Sequence, residues 1–443
     1  MAQQKKTMGV IYLGLLMLLS LTSAQHFHLA LNTTDVEVHV DDTITIPFSL
    51  SLPESYNGVV SIVGKSADKN IATVEVPRGE PEGHVWNDSI RINGRLLGLT
   101  SVELDVVNDD DIVTATERLT VTVIRPERVI DTLFTVSVAT LVSILYINFG
   151  CAMDWSVCRE TLSRPIGPLI GGVCQFLIMP LLAFGIGRVL FPDNPPMQIG
   201  IFFTGISPSG GASNIWTVLL GGNLNLSIAM TSLSTLASFA TIPFWIFTLG
   251  KHIFDSGNLI VPYKRIAYIA VGLVLPLAIG YFIQKKFPRL SRIMVRIMKP
   301  FSVILILFIV VFAIFTNLYL FELFSWQIVL SGMGLPWLGF ICGLLAMTIC
   351  RQPRADVRAI AIETGIQNTG IAIFLLRFSL KQPAADLTTV LPVACSMMTP
   401  LPLGILWLIK LVVDRRKKKY VPSMEKAQSE VPLATTPSSV VSN

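Results

Sequence analysis

Charged residues are scarce in this chain. Asp, Glu, Lys and Arg make up only 14% of its 443 residues, against about a quarter in soluble domains. Hydrophobic residues make up 52%, and the mean hydropathy is +0.63. This composition excludes an ordinary soluble protein and predicts a polytopic membrane protein. The net charge of +5 lies mainly in short basic loops and a basic tail, so we interpret it as a topology signal rather than a nucleic-acid-binding surface.

The chain also lacks cysteine motifs. Its six cysteines lie in or beside hydrophobic segments, at positions 151, 158, 174, 342, 350 and 395, and none has metal-ligand spacing. We interpret them as small apolar residues of the spans and their edges. The sequence shows no nucleophile–base pair and no metal cluster, so we expect neither an enzyme nor a cofactor.

The first 24 residues have the pattern of a signal peptide. Lys5 and Lys6 precede the apolar run from Met8 to Leu21, and Ala24 ends a stretch of small residues. A short signal anchor is the alternative. In either case we expect the segment that follows to be delivered to the lumen.

Residues 25–127 alternate between apolar and polar side chains with a period of two, and Asn-Gly and Asp-rich turns interrupt the runs. This pattern predicts a small antiparallel all-β luminal domain, built as a sandwich. It contains no cysteine and must therefore rely on its own core. Asn32 and Asn87 each begin a glycosylation sequon, which fits a luminal domain.

Residues 128–413 form a series of apolar segments of spanning length. We predict about nine transmembrane helices, centred on 132–152, 166–190, 197–221, 224–249, 263–284, 300–320, 328–349, 358–380 and 388–412. The basic residues fall mainly in alternate loops, which predicts a luminal N-terminus and a cytoplasmic C-terminus. We expect residues 414–443 to be a disordered cytoplasmic tail.

Two of these segments contain polar interruptions. The eighth holds Glu363 in the run Glu-Thr-Gly-Ile-Gln-Asn-Thr-Gly, and the third holds Pro208 between serines and glycines. A carboxylate at the bilayer centre costs about 2.5–3.5 kcal/mol, so such groups usually mark ion or substrate pathways. We therefore predict two broken helices that meet in the membrane, the arrangement of a transporter built from inverted repeats. A simple kink at Pro208 is the alternative for the third segment.

The interruptions and the span after Pro208 supply oxygen ligands for a small cation. The set comprises Glu363, Gln367, Ser213, Asn214, Ser227 and Thr231. Na⁺ fits this set, although Glu363 could carry a proton instead. Ser234 and Ser238 continue the hydroxyl stripe of Ser227 and Thr231, and for them we favour helix packing. Gln175 is the only amide in the second span, where it could bridge helices or bind a ligand.

These motifs resemble the sodium/bile acid cotransporter family, solute carrier family ten. The resemblance covers residues 130–413 and is carried by four motifs in order: residues 172–180, 207–214, 222–231 and 363–368. The long luminal domain ahead of the spans is similar to that of the member five type. The resemblance implies a core bundle and a panel bundle, with the two broken helices crossing in the core.

The resemblance also implies two sodium sites. One maps onto Ser213, Asn214, Ser227, Thr231 and Glu363. The other maps onto Gln175, Glu363, Gln367 and the backbone carbonyls of Thr364 and Ile366. Bile acid carriers of the family resemble one another in having an amide residue where this chain has Gly370, and an Asn-Leu pair where it has Gly211-Ala212.

The sequence thus predicts a sodium-coupled symporter of an amphipathic organic anion, such as a bile acid or a sulfated steroid. It would be a multi-pass protein of the plasma membrane or another secretory-pathway membrane, with sodium ions, lipid and a small anion as its partners and no nucleic acid. Two alternatives remain: a receptor or adhesion protein acting through its luminal β domain, and a proton-coupled carrier.

Overall fold

The computed structural model describes residues 27–53, 59–77, 84–108, 113–126, 129–153, 155–257, 262–297, 307 and 325–429. The proposed signal peptide and the sixth predicted span, 300–320, lie outside the described residues, apart from residue 307. The chain divides into a β unit that ends at Arg128 and a helical unit that begins at Val129, with a short stretch near residue 383 grouped with the first.

The β unit has eight strands in two four-stranded sheets. The strands are β1 His28–Leu31, β2 Asp35–His39, β3 Thr43–Ser51, β4 Val60–Ser66, β5 Ala72–Glu75, β6 Val85–Gly94, β7 Gly98–Asn108 and β8 Val113–Ile124. One sheet has the order β1-β3-β6-β5 and the other β2-β8-β7-β4. The alternating apolar residues of both sheets form one core cluster, as the period-two pattern predicts for a sandwich.

One feature of the β unit differs from the sequence-based expectation of a purely antiparallel domain. Strand β2 pairs with β8 in parallel, with Val38 opposite Val123, while the other strand pairs are antiparallel. Apolar and polar side chains alternate along a strand whether its neighbour runs parallel or antiparallel. The sequence pattern therefore predicts which face of a strand is buried and not the relative direction of paired strands.

The helical unit contains α1 Val129–Ala152, α2 Trp155–Ser163, α3 Ile166–Leu190, α4a Pro195–Ile206, α4b Ser213–Leu220, α5 Leu224–Ser256, α6 Tyr263–Lys286, α7 Trp326–Ile349, α8a Arg354–Gly365, α8b Thr369–Ser379, α9 Ala384–Met398 and α10 Pro400–Ser429. Among the described residues, six helices or helix pairs are long and apolar enough to cross a bilayer. An all-α membrane bundle after an all-β unit is confirmed, whereas the count of nine spans is not.

The third and eighth predicted spans are broken, and a mere kink at Pro208 is excluded. Helix α4a ends at Ile206, and Ser207 is extended with a ψ of 153°. Helix α8a ends at Gly365, and Ile366 is extended with a ψ of 102°. The helix resumes at Ser213 in one case and at Thr369 in the other.

The two breaks cross and hydrogen-bond to each other. The Gly210 amide donates to the Ile366 carbonyl at 2.8 Å, and the Asn368 amide donates to the Pro208 carbonyl at 2.8 Å. Ser209 and Gln367 form an antiparallel bridge between these bonds. Each break thereby satisfies backbone groups that the other leaves open, which backbone at membrane depth requires.

The last helix is longer than expected. Residues 414–429, assigned to a disordered tail from their composition, continue α10 as far as Ser429. Residues 430–443 lie outside the described part of the chain.

Candidate functional site

Glu363 lies in the last turn of α8a, immediately before the break, and is only 3% exposed. Its carboxyl accepts a hydrogen bond from Ser227 Oγ at 2.8 Å and another from Thr231 Oγ1. Ser227 and Thr231 are four residues apart on α5, so their hydroxyls lie on one face of the helix. One carboxylate oxygen is therefore assigned to each hydroxyl.

The first turn of α4b adds two more oxygen-bearing side chains to this cluster. Ser213 Oγ lies 3.4 Å from Thr231 Oγ1, and Asn214 Nδ2 lies 3.5 Å from the same hydroxyl. Asn214 Oδ1 is buried and has no hydrogen-bond partner in the described part of the chain. A buried acceptor without a donor suits a cation, because a metal ion binds the oxygen lone pairs that such a group offers.

The structure thus brings together Ser213, Asn214, Ser227, Thr231 and Glu363, the five residues predicted for one sodium site, from three helices. We call them the Glu363 cluster. The chain segments that hold them are far apart in sequence, since Glu363 follows Ser227 by 136 positions.

Two side chains of the second predicted sodium site, Gln175 and Gln367, hydrogen-bond to each other. Gln175 Nε2 donates to Gln367 Oε1 at 2.8 Å and to the Ser207 carbonyl at 2.9 Å. Gln367 Nε2 in turn lies 2.7 Å from the Thr364 carbonyl. Gln175 therefore contacts both unwound segments. It bridges helices in this structure, which was one of the two roles considered for it.

Gln175 lies in a π-helical turn of α3. Residues Cys174–Ile178 form this turn, and Pro180 follows in the next helical turn. Such π-bulges occur often at functional sites because they rotate one side chain out of the regular helical register.

The remaining members of the second set are only partly assembled. The Ile366 carbonyl accepts the Gly210 amide of the crossing, and the Glu363 carbonyl accepts the Ser209 hydroxyl. In the described residues no hydrogen bond joins the Glu363 carboxyl to Gln175 or Gln367. This carboxyl is instead oriented toward the hydroxyls of the Glu363 cluster.

Sequence reasoning missed several buried polar contacts made by the broken helices. Thr217 Oγ1 donates to Ser227 Oγ at 3.2 Å, and the Ser209 amide donates to Ser234 Oγ at 3.3 Å. Thr217 follows Ser213 by four residues, a spacing that could have placed it on the same face of α4b. Arg377 and Asp386, a buried ion pair between α8b and α9, gave no recognisable pattern in the sequence.

Comparison with known proteins identifies a family that this chain matches. The Sodium Bile acid symporter family profile matches residues 127–322. The ileal sodium/bile acid cotransporter of Cricetulus griseus is 31% identical over 280 residues, which cover 62% of this chain and 79% of that protein. The chain belongs to the sodium bile acid symporter family.

Two other relatives show how the similarity extends. The sodium-dependent organic anion transporter of Bos taurus is 30% identical over 56% of this chain and 66% of its own length. The P3 protein of Homo sapiens is 31% identical over 57% of this chain, yet the match covers only 53% of that protein. Family membership and the six apolar helices together make the chain a multi-pass membrane protein.

In this member of the sodium bile acid symporter family, a cavity of about 90 Å³ opens beside the crossing. Residues of both breaks line it, among them Gly211, Gln367 and Gly370. Asn368 Nδ2 also lacks a hydrogen-bond partner among the described residues. Because Gly211, Ala212 and Gly370 carry little or no side chain, their part of the wall offers backbone groups rather than amides.

Proposed function

We propose that this protein is a sodium-coupled symporter of an amphipathic organic anion. The observation that carries the proposal is the Glu363 cluster, a buried carboxylate surrounded by neutral oxygen-bearing side chains at the crossing of two broken helices. A single carboxylate offsets the charge of a monovalent cation, while hydroxyl and amide oxygens complete its coordination. Hydroxyl groups can rotate to present a lone pair to an ion in place of the proton they now donate.

The second set provides a route for coupling. Gln367 belongs to the Gln175–Gln367 pair and also lines the cavity at the crossing. An ion bound among Gln175, Gln367 and the Thr364 and Ile366 carbonyls would replace hydrogen bonds that now join the two breaks. Ion occupancy would thereby alter the wall against which the substrate rests.

The cavity suits the anionic end of a substrate because two helices start at it. Ala212 and Thr369, at the starts of α4b and α8b, both line its wall. Helix N-termini carry partial positive charge and favour anions. Two sodium ions with a monovalent anion would carry one net charge, for which the membrane potential supplies about 2.3 kcal/mol per 100 mV.

The decisive variant is Glu363→Gln, which keeps the shape of the side chain and removes its charge. We expect sodium-dependent uptake of bile acids and sulfated steroids by intact cells to fall at least about tenfold, because the cation loses its one counter-charge. Asp193→Asn, which neutralises a carboxylate in the exposed loop before α4a, should leave uptake unchanged. Wild-type uptake by the Glu363→Gln protein at equal surface expression would refute the coupling role.

The same assay separates the alternative functions. Uptake that persists when sodium is replaced by a larger cation, and collapses with the proton gradient, would identify a proton-coupled carrier. An absence of transport, together with ligand binding by residues 25–127 alone, would identify a receptor or adhesion protein.

The proposal includes an orientation of the chain in the membrane. Residues 1–24 would serve as a signal peptide, which places the β unit in the lumen or outside the cell and the C-terminus in the cytoplasm. Asn32 and Asn87 are both exposed on the β unit, as glycan acceptors must be. Removal of both sites by Asn→Gln substitution should abolish the mobility shift that glycosidase treatment causes.

A further inference from the structure

Two adjoining cavities lie beside α8a, which follows a basic loop, and α10, which continues into a basic stretch. An apolar cavity of about 320 Å³ lies between α7, α8a and α10, and Trp337 and Leu403 form part of its wall. A neighbouring cavity of about 360 Å³ is also present. Phe340, Ile362 and Leu406 line both of them, so the two spaces adjoin each other.

The second cavity supplies a charged end. Arg358, Lys410 and Asp414 line it, which makes two cations against one carboxylate. Arg358 Nη1 donates to the Gly221 carbonyl at 2.8 Å, and Lys410 Nζ donates to the Leu219 carbonyl at 2.8 Å. A guanidinium has five N–H donors and an ammonium has three, so both groups retain donors for an anion in the cavity.

The apolar cavity is bordered by a loosely packed helix. In the span Ala384–Arg415, only 6% of the most apolar window is buried, compared with 31–44% in the other five candidate spans. Ile405 and Leu406, which line the cavity, are 56% and 39% exposed. An apolar space of this kind does not hold water well, and in a bilayer it is accessible to acyl chains from the side.

We propose that this combined space binds an anionic phospholipid from the leaflet next to the basic loops. The phosphate would lie against Arg358 and Lys410, and an acyl chain would fill the apolar cavity between α7 and α10. The volumes lie in the usual range of ligand pockets, about 300–1,000 Å³. Basic pockets between transmembrane helices bind anionic lipid headgroups for the same reason of charge complementarity. The bound lipid would hold α10 against the bundle.

Native mass spectrometry of the full-length protein in detergent tests the headgroup contacts. We expect wild-type protein to retain one dioleoylphosphatidylglycerol under conditions that remove dioleoylphosphatidylcholine, which has the same chains and no net charge. The double variant Arg358→Gln/Lys410→Gln should lose at least fivefold in phosphatidylglycerol occupancy. Arg289→Gln/Arg292→Gln, which removes two exposed cations after α6, should retain the lipid.

Two further variants avoid the hydrogen bonds that Arg358 and Lys410 make to α4b. Asp414→Asn removes the carboxylate from the charged end and should raise phosphatidylglycerol occupancy. Ile405→Trp should fill the apolar cavity and lower occupancy. The matched control is Leu408→Trp, because Leu408 is equally exposed, at 55%, and does not line the cavity.

Three outcomes would overturn the proposal. The first is equal retention of the two phospholipids by wild-type protein. The second is occupancy that does not respond to Ile405→Trp or falls with Asp414→Asn. The third is displacement of the lipid by taurocholate with the same dependence on the variants, since the space would then belong to a soluble amphipathic anion.

Discussion

At the scale of single residues, the Glu363 carboxyl depends on two hydroxyls of α5. Ser227 and Thr231 each donate to one of its oxygens, and Ser227 is itself held by Thr217. The residue types of this group were predictable, because a carboxylate, an amide and a row of hydroxyls stand out in apolar spans. The assignment of one hydroxyl to each oxygen was not, since it depends on how α5 packs against α8a.

Ser227→Ala tests the role of this hydroxyl in binding the ion. A hydrogen bond or ligand contact to a charged group contributes about 1.5–3 kcal/mol, and each 1.4 kcal/mol is a factor of ten in affinity. We therefore expect the sodium concentration for half-maximal uptake to rise about tenfold or more. Ser238→Ala is the matched control, because Ser238 is buried on the same helix and, among the described residues, its hydroxyl donates only to the Thr235 carbonyl. Equal sodium dependence in the two variants would exclude Ser227 as a ligand.

In the β unit, Asp105 provides a pH-dependent contribution to stability. A hydrogen bond from Lys65 at 3.0 Å, with a second from Thr116 at 2.9 Å, lowers the pKa of Asp105 below its ordinary value of 3.8. A lowered folded-state pKa means that the unfolded chain binds the proton more readily. The stabilisation is therefore fully present above the unfolded pKa and is lost as the pH falls through the folded pKa.

Asp105→Asn should lower the free energy of unfolding by about 0.5–1.5 kcal/mol at pH 7. The difference from wild type should shrink as the pH falls below about 4 and should vanish below the lowered folded-state pKa, where the wild-type carboxyl is protonated in the folded and the unfolded state. Denaturant unfolding of residues 25–127, followed through Trp86, measures both effects, because Trp86 is the sole tryptophan of that segment. Glu37→Gln, which neutralises an exposed carboxylate on β2, is the control. A difference that does not change with pH would contradict the assigned ion pair.

At the scale of elements, the crossing of the two breaks decides the architecture of the site. Pro208 and the neighbouring glycines predict that α4a must end, and Gly365 and Asn368 predict the same for α8a. The sequence predicts that the two breaks meet in the membrane, but it does not reveal that their backbones hydrogen-bond to each other. The pairing uses backbone groups, which all residue types share, so no side-chain pattern records it.

Gly210→Ala tests this crossing. A Cβ at Gly210 would lie 2.9 Å from the Gln367 carbonyl oxygen and 3.3 Å from Ile366 Cγ2, both on the opposite break. We expect sodium-dependent uptake to fall at least about tenfold, because relief of these contacts would displace groups of the proposed ion and substrate sites. At Gly172 of α3 an added Cβ meets nothing within 4 Å, so Gly172→Ala should transport normally. Normal uptake by the Gly210→Ala protein would show that the crossing tolerates displacement.

At the scale of the whole molecule, the chain contains two units of different physical kinds. The β unit buries its own core, with Trp86 6% exposed and its ring centroid 5.5 Å from that of Phe48. The helical unit presents many large apolar side chains on its surface, as expected for a protein in a bilayer. The β unit therefore buries its apolar side chains in its own core, whereas the helical unit exposes many of its apolar side chains to lipid.

We accordingly expect residues 25–127 to fold when secreted without the helical unit. The fragment should unfold in a single cooperative transition, with a shift of the Trp86 emission on exposure to solvent. Val121→Asp, which introduces a carboxylate into the fully buried core position on β8, should abolish the transition. A wild-type fragment without a cooperative transition would show that the β unit depends on the rest of the chain.

The sequence by itself determined the two units, the faces of the strands, the positions of the breaks and the residue types that we propose as ion ligands. These features are local, because periodicity, proline and glycine act on the chain over a few residues. Tertiary structure alone decided the parallel pairing of β2 with β8, the mutual pairing of the breaks and the contact of Ser227 with Glu363. Each of these joins segments separated by 80 or more positions, and the interactions that specify them exist only once the helices and strands have packed.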